Sequence, residues 1–566
     1  MNRRIVRTSL QIGVLASAVF LLLFFLDNRY RVLPNSIHNH LPAHHPGLVI
    51  TDVTLKTCST LNPLSSCQLD PNEWHRIEKD LYLNKAWVNA AYIHIKRKRE
   101  EDLVPEEKVI MDVRIGRLDP AMGEADRGDE KWESRPGGLW LKRSSRRHDS
   151  DSTKVITAVD VLFGADAVEP RPGWEIRENS LLLDKPADEP EARLSIRRGP
   201  PHKIDKPKLR VRKNGKFKIL QVSDLHLSTG IGTCREPEPP EHNGGKCDAD
   251  TRTLEFVARV LDQEKPDMVV LSGDQVNGET APDAQSAIFK FADLFIKRSI
   301  PYATIYGNHD DEGSLSRSAM MSLTTSLPFS LSAPGPNTVS GTGNYYIEIL
   351  GESHHSALTL YFLDTHSYTP DESKYKGYDW IKPDQIEWFQ STAQALRETS
   401  AHKDYTLIRA NMAFVHIPLP EYRDEGPGTP DAEIFGWKPG ETKEDCTAPG
   451  YNSHFRDALV NEGVSVVSCG HDHVNSHCAL SRHRDSEGKK EKPALWMCYA
   501  GGSGFGGYGG GNWGSYHRQL RVFEFDAQEA RISTWKRLEC CGKDADERKD
   551  VGVIVEAGKA VSVHTR

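Results

Sequence analysis

Apolar positions along the chain change their period twice. From Leu10 to Leu26 they run almost unbroken, with Arg3, Arg4 and Arg7 before them and Asp27-Asn28-Arg29-Tyr30 after. The run holds 17 residues, about 25 Å of helix and the short end of what spans a bilayer. Small residues of a cleavage site do not follow it. The expectation for residues 1–27 is therefore a short cytoplasmic tail and an uncleaved signal-anchor transmembrane helix, oriented by its arginines. From 28 to about 205 the pattern turns to partial alternation. Ala86–Lys96 and Val109–Ile115 read as strands of a β-rich accessory region. A stretch rich in charge, Gly, Ser and Pro, Leu118–Thr153, reads as a solvated or disordered insertion. No internal repeat stands out.

From Lys206 short apolar strands alternate with helical patterns. Lys216–Val222, Met268–Leu271, Tyr302–Ile305, Leu358–Leu363, Tyr405–Val415 and Val464–Val467 read as strands. Thr251–Gln263, Asp283–Lys297, Pro383–Leu396 and Phe455–Asn461 read as helices, and Gln519–Phe525 with Ala530–Leu538 as a closing antiparallel pair. Such alternation predicts an α/β layered domain, here over 206–545, with 546–566 as a tail.

Composition changes this picture little. Of 566 residues 38% are hydrophobic and 27% charged, enough for a sizeable core. A net charge of −8 gives no broad basic field, so nucleic acid is not expected as a partner. Ten cysteines permit disulfides, and Cys58/Cys67 and Cys234/Cys247 each bracket a short polar loop. That suits a lumenal catalytic domain on a single-pass endomembrane protein. The lack of any Asn-x-Ser/Thr acceptor speaks against it and leaves the side of the membrane open.

The chemistry gathers where predicted strands end. Strand Phe217–Val222 leads into Asp224-Leu225-His226, and Met268–Leu271 into Gly273-Asp274. Ala303–Tyr306 leads into Gly307-Asn308-His309-Asp310. His416 follows Phe414-Val415, and Gly470-His471-Asp472-His473 follows Val464–Ser468. Ligands of open α/β sheets collect at such ends. Mixed imidazole and carboxylate donors without a thiol fit a pair of Mn, Fe or Zn ions better than Mg, Ca or a structural zinc cage. Two cations about 3.5–4 Å apart need an anionic bridge and together make hydroxide available near neutral pH.

Asp-x-His, Gly-Asp, Gly-Asn-His-Asp, a lone His and Gly-His-x-His, in that order over roughly 215–540, resemble the calcineurin-like metallophosphoesterase superfamily. Gly377-Tyr378-Asp379-Trp380-Ile381-Lys382-Pro383 and Phe414-Val415-His416-Ile417-Pro418 are similar to the fungal dosage-dependent cell-cycle regulator phosphatases and to plant purple-acid-phosphatase-like proteins. The resemblance implies a layered β-sandwich flanked by helices. It implies one metal on Asp224, His226 and His473, a second on Asn308, His416 and His471, and Asp274 bridging them. His309 would be the general acid, with Asp310 orienting it or serving as a plain cap. Gln275-Val276-Asn277-Gly278 replaces both the tyrosine ligand of purple phosphatases and the calcineurin-type Asp-Arg-Gly.

The expected activity is hydrolysis of phosphate monoesters, on phosphorylated protein or a small phosphoester, by hydroxide bound to two metals. A phosphodiesterase or nucleotidase is one alternative and a catalytically inactive membrane scaffold another. Gly501–Gly514 reads as a flexible loop beside the site, offering Tyr508, Trp513, Tyr516 and His517 to substrate. Asp364 and His366 read as structural.

Overall fold

The computed structural model describes residues 3–30, 47–62, 65–86, 88–104, 106–123, 131–144, 154–187, 189–352, 355–401, 409–441, 443–484, 491–539 and 547–564. They divide into two compact units, Met1–Lys203 and Ile204–Arg566.

The first unit begins with the helix Arg3–Tyr30. Among the described residues, however, no helix is long and apolar enough to cross a membrane. The expected transmembrane anchor is thus unsupported. Its nearly unbroken apolar run of 17 residues, roughly 25 Å of helix, falls short of a hydrocarbon core of about 30 Å. Nine strands follow: β1 (Leu48–Ser59), β2 (His75–Arg76), β3 (Asn89–Arg99), β4 (Val109–Ile115), β5 (Lys131–Arg135), β6 (Leu139–Ser144), β7 (Ile156–Phe163), β8 (Trp174–Ile176) and β9 (Ala192–Arg198). They form three antiparallel sheets of one topology, β1-β3-β2, β4-β6-β5 and β7-β9-β8. Inward side chains of all three, among them Val53, Ile93, Val113, Leu141, Val161 and Ile196, share one core.

This topology uncovers an internal repeat. The first strand of each sheet carries Asp-Val, at the end of a register shift in β1 and β4 and two residues past one in β7: Asp52-Val53, Asp112-Val113 and Asp160-Val161. Each carboxylate accepts the amide proton of the valine beside it, at 2.8, 3.0 and 2.8 Å. Each also meets a cation from another of the three segments. Arg135 pairs with Asp52, Arg198 with Asp112, and Lys79 with Asp160 at 3.7 Å, so the three pairings close a ring. Trp74, Trp132 and Trp174 open the second segments, under Lys96, Lys142 and Arg197 of the third strands. The stretch expected as a disordered insertion therefore contains β5 and β6; its residues 124–130 and 145–153 lie outside the described ones.

The second unit contains β10 (Lys216–Val222), β11 (Met268–Ser272), β12 (Tyr302–Ile305), β13 (Tyr345–Leu350), β14 (Ser356–Phe362), β15 (Ala410–Phe414), β16 (Ile434–Phe435), β17 (Val466–Cys469), β18 (Cys478–Arg484), β19 (Glu491–Tyr499), β20 (Gln519–Asp526), β21 (Arg531–Leu538), β22 (Lys549–Glu556) and β23 (Lys559–His564). They build two seven-stranded sheets, β12-β11-β10-β20-β21-β22-β23 and β13-β14-β15-β17-β19-β18-β16. Alternate residues explain the layering. Phe217, Ile219, Val270 and Phe523 of one sheet meet Leu360, Met412, Phe414 and Trp496 of the other in a shared core. Intervening residues such as Tyr361, Ala413 and Val467 pack outward on Phe389 and Ala393 of the helix Pro383–Ala401 and on Leu459 of Phe455–Asn461. Of the expected tail 546–566, the described residues 549–564 are two strands, β22 and β23. Val553, Val555 and Ala560 pair β22 with β23 at the edge of the first sheet. Cys58–Cys67 and Cys234–Cys247 are bonded, and so is Cys478–Cys498, a cross-strand pair that spacing did not suggest.

In the first sheet β10, β11 and β12 run parallel; in the second, β14, β15, β17 and β19 do. The loops at their C-terminal ends carry the motifs.

Candidate metal centre

Beyond β10 and β11 the backbones stay paired, with the amides of Asp224, His226 and Leu227 donating to the carbonyls of Gly273, Asp274 and Gln275, each at 2.9 Å. The loops then turn sharply. Asp224, His226, Asp274 and His471 hold left-handed φ of 55°, 46°, 52° and 74°. Each such non-glycine costs of order 1–3 kcal/mol, and side chains held at this cost cluster at functional sites. Gly307 is required because its missing Cβ would lie 2.2 Å from Asp274 Oδ1 and 2.5 Å from His416 Nε2.

The result is two adjacent buried groups: Asp224, His226 and His473, then Asp274, His416 and His471, the ligand atoms of each lying within 4.8 Å of one another. Asp274 Oδ2 stands 3.2 Å from His416 Nε2 and 3.8 Å from His226 Nε2, so one carboxylate faces both groups. Asp224 Oδ1 is 3.5 Å from His473 Nε2. His416 donates its Nδ1 proton to the Ser272 carbonyl at 2.8 Å and His473 its own to the Tyr508 carbonyl at 3.0 Å. In both rings this leaves the Nε2 lone pair for a ligand. Asn308 is fully buried, and neither atom of its amide finds a hydrogen-bond partner.

Ionisation follows from burial and charge. Burial and the neighbouring His473 push His226 down to about 3; burial and His416 do the same to His471. Burial alone would lower His416, but the Asp274 carboxylate outweighs it and brings the ring up to about 9. Asp274 itself, which burial would raise, is held well below the usual carboxylate range by His416. His226 and His471 thus keep bare lone pairs beside the buried carboxylates, while at His416 a metal would take the place of the proton that Asp274 favours; His226 Nε2 faces His473 Nε2 at 3.1 Å. Two cations fit this donor set: the carboxylates supply negative charge, the histidines lone pairs, and Asn308 an amide oxygen left otherwise unsatisfied.

His309 lies beside these groups, 35% exposed at its side chain, with its amide on Asp274 Oδ1 at 2.8 Å and its Nδ1 on Glu312 Oε2 at 2.8 Å. Glu312 is therefore the group that orients it. Asp310 is buried and accepts from the amides of Gly307, Asp274 and Val276, a cap that ties two motif loops together. Asp364 is structural, bound by Arg317, which also holds the Gly307 carbonyl.

The glycine-rich segment departs from the flexible loop expected. Residues 501–507 are buried and form a wall. Gly507 sits so close that a Cβ would meet His473 at 2.5 Å and His226 at 2.6 Å. Tyr516 is buried, its hydroxyl on the Gly502 carbonyl, and does not face substrate. Tyr508 had no signal beyond its glycine neighbours, yet it touches His473 in three ways. Its ring stacks on the imidazole at 3.8 Å, its carbonyl takes the Nδ1 proton, and its hydroxyl accepts from the His473 amide at 3.1 Å. That hydroxyl also bonds Glu444 Oε1 at 2.7 Å.

The calcineurin-like phosphoesterase family profile matches residues 217–475. The chain is 37% identical over 399 residues to phosphatase DCR2 of Saccharomyces cerevisiae, covering 68% of this chain and 64% of the yeast protein, so it spans under two thirds of that relative. It is 32% identical over 518 residues to the uncharacterized protein C1020.05 of Schizosaccharomyces pombe, covering 89% of this chain and 90% of that one. To probable inactive purple acid phosphatase 14 of Arabidopsis thaliana it is 36% identical over 358 residues, 58% of this chain and 82% of the plant protein.

Proposed function

The chain belongs to the calcineurin-like phosphoesterase family, and from that premise we propose that it hydrolyses phosphate monoesters, phosphorylated proteins among them, at a dimetal centre. The observation that carries this reading is the placement of Asp274 Oδ2 between His416 and His226, with the unsatisfied Asn308 amide buried alongside. Asp224, His226 and His473 would hold one metal, and Asn308, His416 and His471 the other, across Asp274. Mn, Fe or Zn suits the donors. When bound, such a pair supplies Lewis acidity at phosphorus and lowers the pKa of water toward neutrality.

The remaining work falls to the chain's own groups. Glu312 fixes His309 through Nδ1 and leaves Nε2 to hand a proton to the leaving oxygen. Burial keeps His226 and His471 unprotonated, so their lone pairs stay available. Three Arabidopsis relatives are named probable inactive phosphatases, which keeps the scaffold reading in view. Against it stands the complete donor set of this chain.

Attachment to a membrane remains part of the proposal, with the catalytic unit lumenal. It is supported by apolar side chains exposed on the N-terminal helix, Ile12 at 62% and Leu15 at 66%. Release of the full-length protein by carbonate extraction would remove it.

Stripping metal with a chelator and reconstituting with Mn, Fe or Zn tests the catalytic reading. Activity on p-nitrophenyl phosphate should vanish and return. Bis(p-nitrophenyl) phosphate turnover rivalling the monoester would favour a diesterase, and a folded protein inactive with every metal would favour the scaffold.

A further inference from the structure

Downstream of β14 the chain makes an excursion that leans on the candidate centre. Ser367 Oγ donates to the Asn308 carbonyl at 3.3 Å. Tyr368 and Tyr378 face each other across an antiparallel bridge, closed by Thr369 N on the Gly377 carbonyl at 3.0 Å and Asp379 N on the Ser367 carbonyl at 2.9 Å. The Tyr378 ring stands edge-on to His471, at 4.3 Å and 90°. Tyr368 stacks on Tyr378 at 5.4 Å and 23°, and is itself 50% exposed. Two rings in series therefore run from a ligand histidine to solvent, the outer one half open.

The open ring lies on the His309 side. Ser367, the residue before Tyr368, bonds the Asn308 carbonyl, one residue before His309, and after burial Glu312 is among the charges that raise the Tyr368 phenol. Glu312 is the carboxylate that orients His309. A leaving group protonated by His309 would thus depart beside the Tyr368 ring. A small polar alcohol gains nothing from such a surface, whereas an aromatic ring stacks on it.

We infer, resting on the phosphoesterase reading above, that Tyr368 seats an aromatic leaving group and that the site favours aryl phosphate monoesters, phosphotyrosine among them, over alkyl ones. In that reaction water adds to phosphorus and the P–O(aryl) bond breaks, its electron pair going to the phenolic oxygen. His309 Nε2 supplies the proton to that oxygen, and the second proton of the water passes to solvent, which restores His309. Tyr378 carries the platform and Tyr368 contacts the leaving group, so specificity resides in Tyr368.

The experiment compares kcat/KM for p-nitrophenyl phosphate and phosphotyrosine with glycerol phosphate and phosphoserine, in the metal-loaded full chain and in Tyr368→Leu and Tyr368→Phe. Intrinsic reactivity cancels when aryl-to-alkyl ratios are compared between proteins. Tyr368→Leu should lower the ratio about tenfold, roughly 1.4 kcal/mol of stacking. Tyr368→Phe, which keeps the ring, should stay within about twofold of wild type. Calorimetry gives a readout without turnover: phenylphosphonate should bind wild type more tightly than methylphosphonate, and Tyr368→Leu should remove the difference. All four esters turned over with a ratio unchanged in Tyr368→Leu overturns this inference alone, as does a Tyr368→Phe ratio that falls as far as that of Tyr368→Leu. No turnover of any ester by wild type overturns the phosphoesterase reading and this one with it.

Discussion

Replacing Tyr508 by phenylalanine deletes one oxygen from the residue that touches His473 in three ways. The ring stack at 3.8 Å and the carbonyl that takes the Nδ1 proton survive. What is lost is the acceptor for the His473 amide at 3.1 Å, the partner of Glu444 Oε1 at 2.7 Å and the contact with the His471 carbonyl at 3.2 Å. Glu444 is buried, so its oxygen is left without that partner, at a cost of about 1–3 kcal/mol to the fold. Losing a group that orients a ligand histidine weakens metal binding about 10- to 100-fold, or roughly 1.4–2.7 kcal/mol. Tyr508→Leu also removes the stack, about 0.5–1.5 kcal/mol more. The effect should fall mainly on the metal of His473, because Tyr508 touches that ring directly and reaches the other group only at the His471 backbone carbonyl, at 3.2 Å. Chelator competition with metal analysis would show two equal release steps in wild type becoming unequal in Tyr508→Phe, and more so in Tyr508→Leu. If melting falls while both metals keep wild-type affinity, Tyr508 merely packs, and the positioning argument is wrong.

Glu264 tests the electrostatics away from the centre. Burial would raise its carboxyl, but Lys218, Trp535 and Arg537 bring it down from 4.5 to about 2. A depressed carboxylate stabilises above its unfolded pKa, so about 3 kcal/mol is present above pH 4.5 and lost progressively as pH falls toward 2. Denaturant titrations in that window should show a shallower pH slope for Glu264→Gln; an unchanged slope refutes the assignment. In the accessory unit, Asp112→Ala removes a carboxylate held by Arg198 at 2.8 Å and by the Val113 amide. It should cost about 1–3 kcal/mol and raise amide exchange through β4–β9, whereas exchange confined to Val113 would argue against the ring of pairings. Gly507→Ala, whose Cβ would meet two ligand histidines, should lower metal content with the fold retained, as read by metal analysis beside circular dichroism.

Much of the catalytic unit was legible because its information is local. A parallel strand reads as an apolar run, and the ligands come directly after it, as in Val222-Ser223-Asp224 or Leu271-Ser272-Gly273-Asp274. What escaped was information held between distant segments. Tyr508 and His473 are far apart in the chain, and only packing shows that the glycines around Tyr508 serve close approach rather than mobility. Glu312 lies three residues from His309, but Asp310 stood nearer and looked equally apt. The three Asp-Val segments recur at unequal spacing with little else shared, so the repeat surfaced only when β1, β4 and β7 proved equivalent in topology. β22 and β23 bury Ile554, Val555 and Ala560 without strict alternation and follow a charged stretch that reads as a terminus.

The most direct test of the dimetal phosphoesterase is metal stoichiometry measured together with p-nitrophenyl phosphate hydrolysis, for the full chain and for Asp274→Asn. Asp274 faces both ligand groups, so its charge should govern both positions. The account predicts about two transition metals per wild-type chain, and for the folded variant a loss of metal with activity down at least about 10³-fold. A folded Asp274→Asn that keeps two metals and hydrolyses at the wild-type rate would contradict it, as would a wild type that takes up no metal at all.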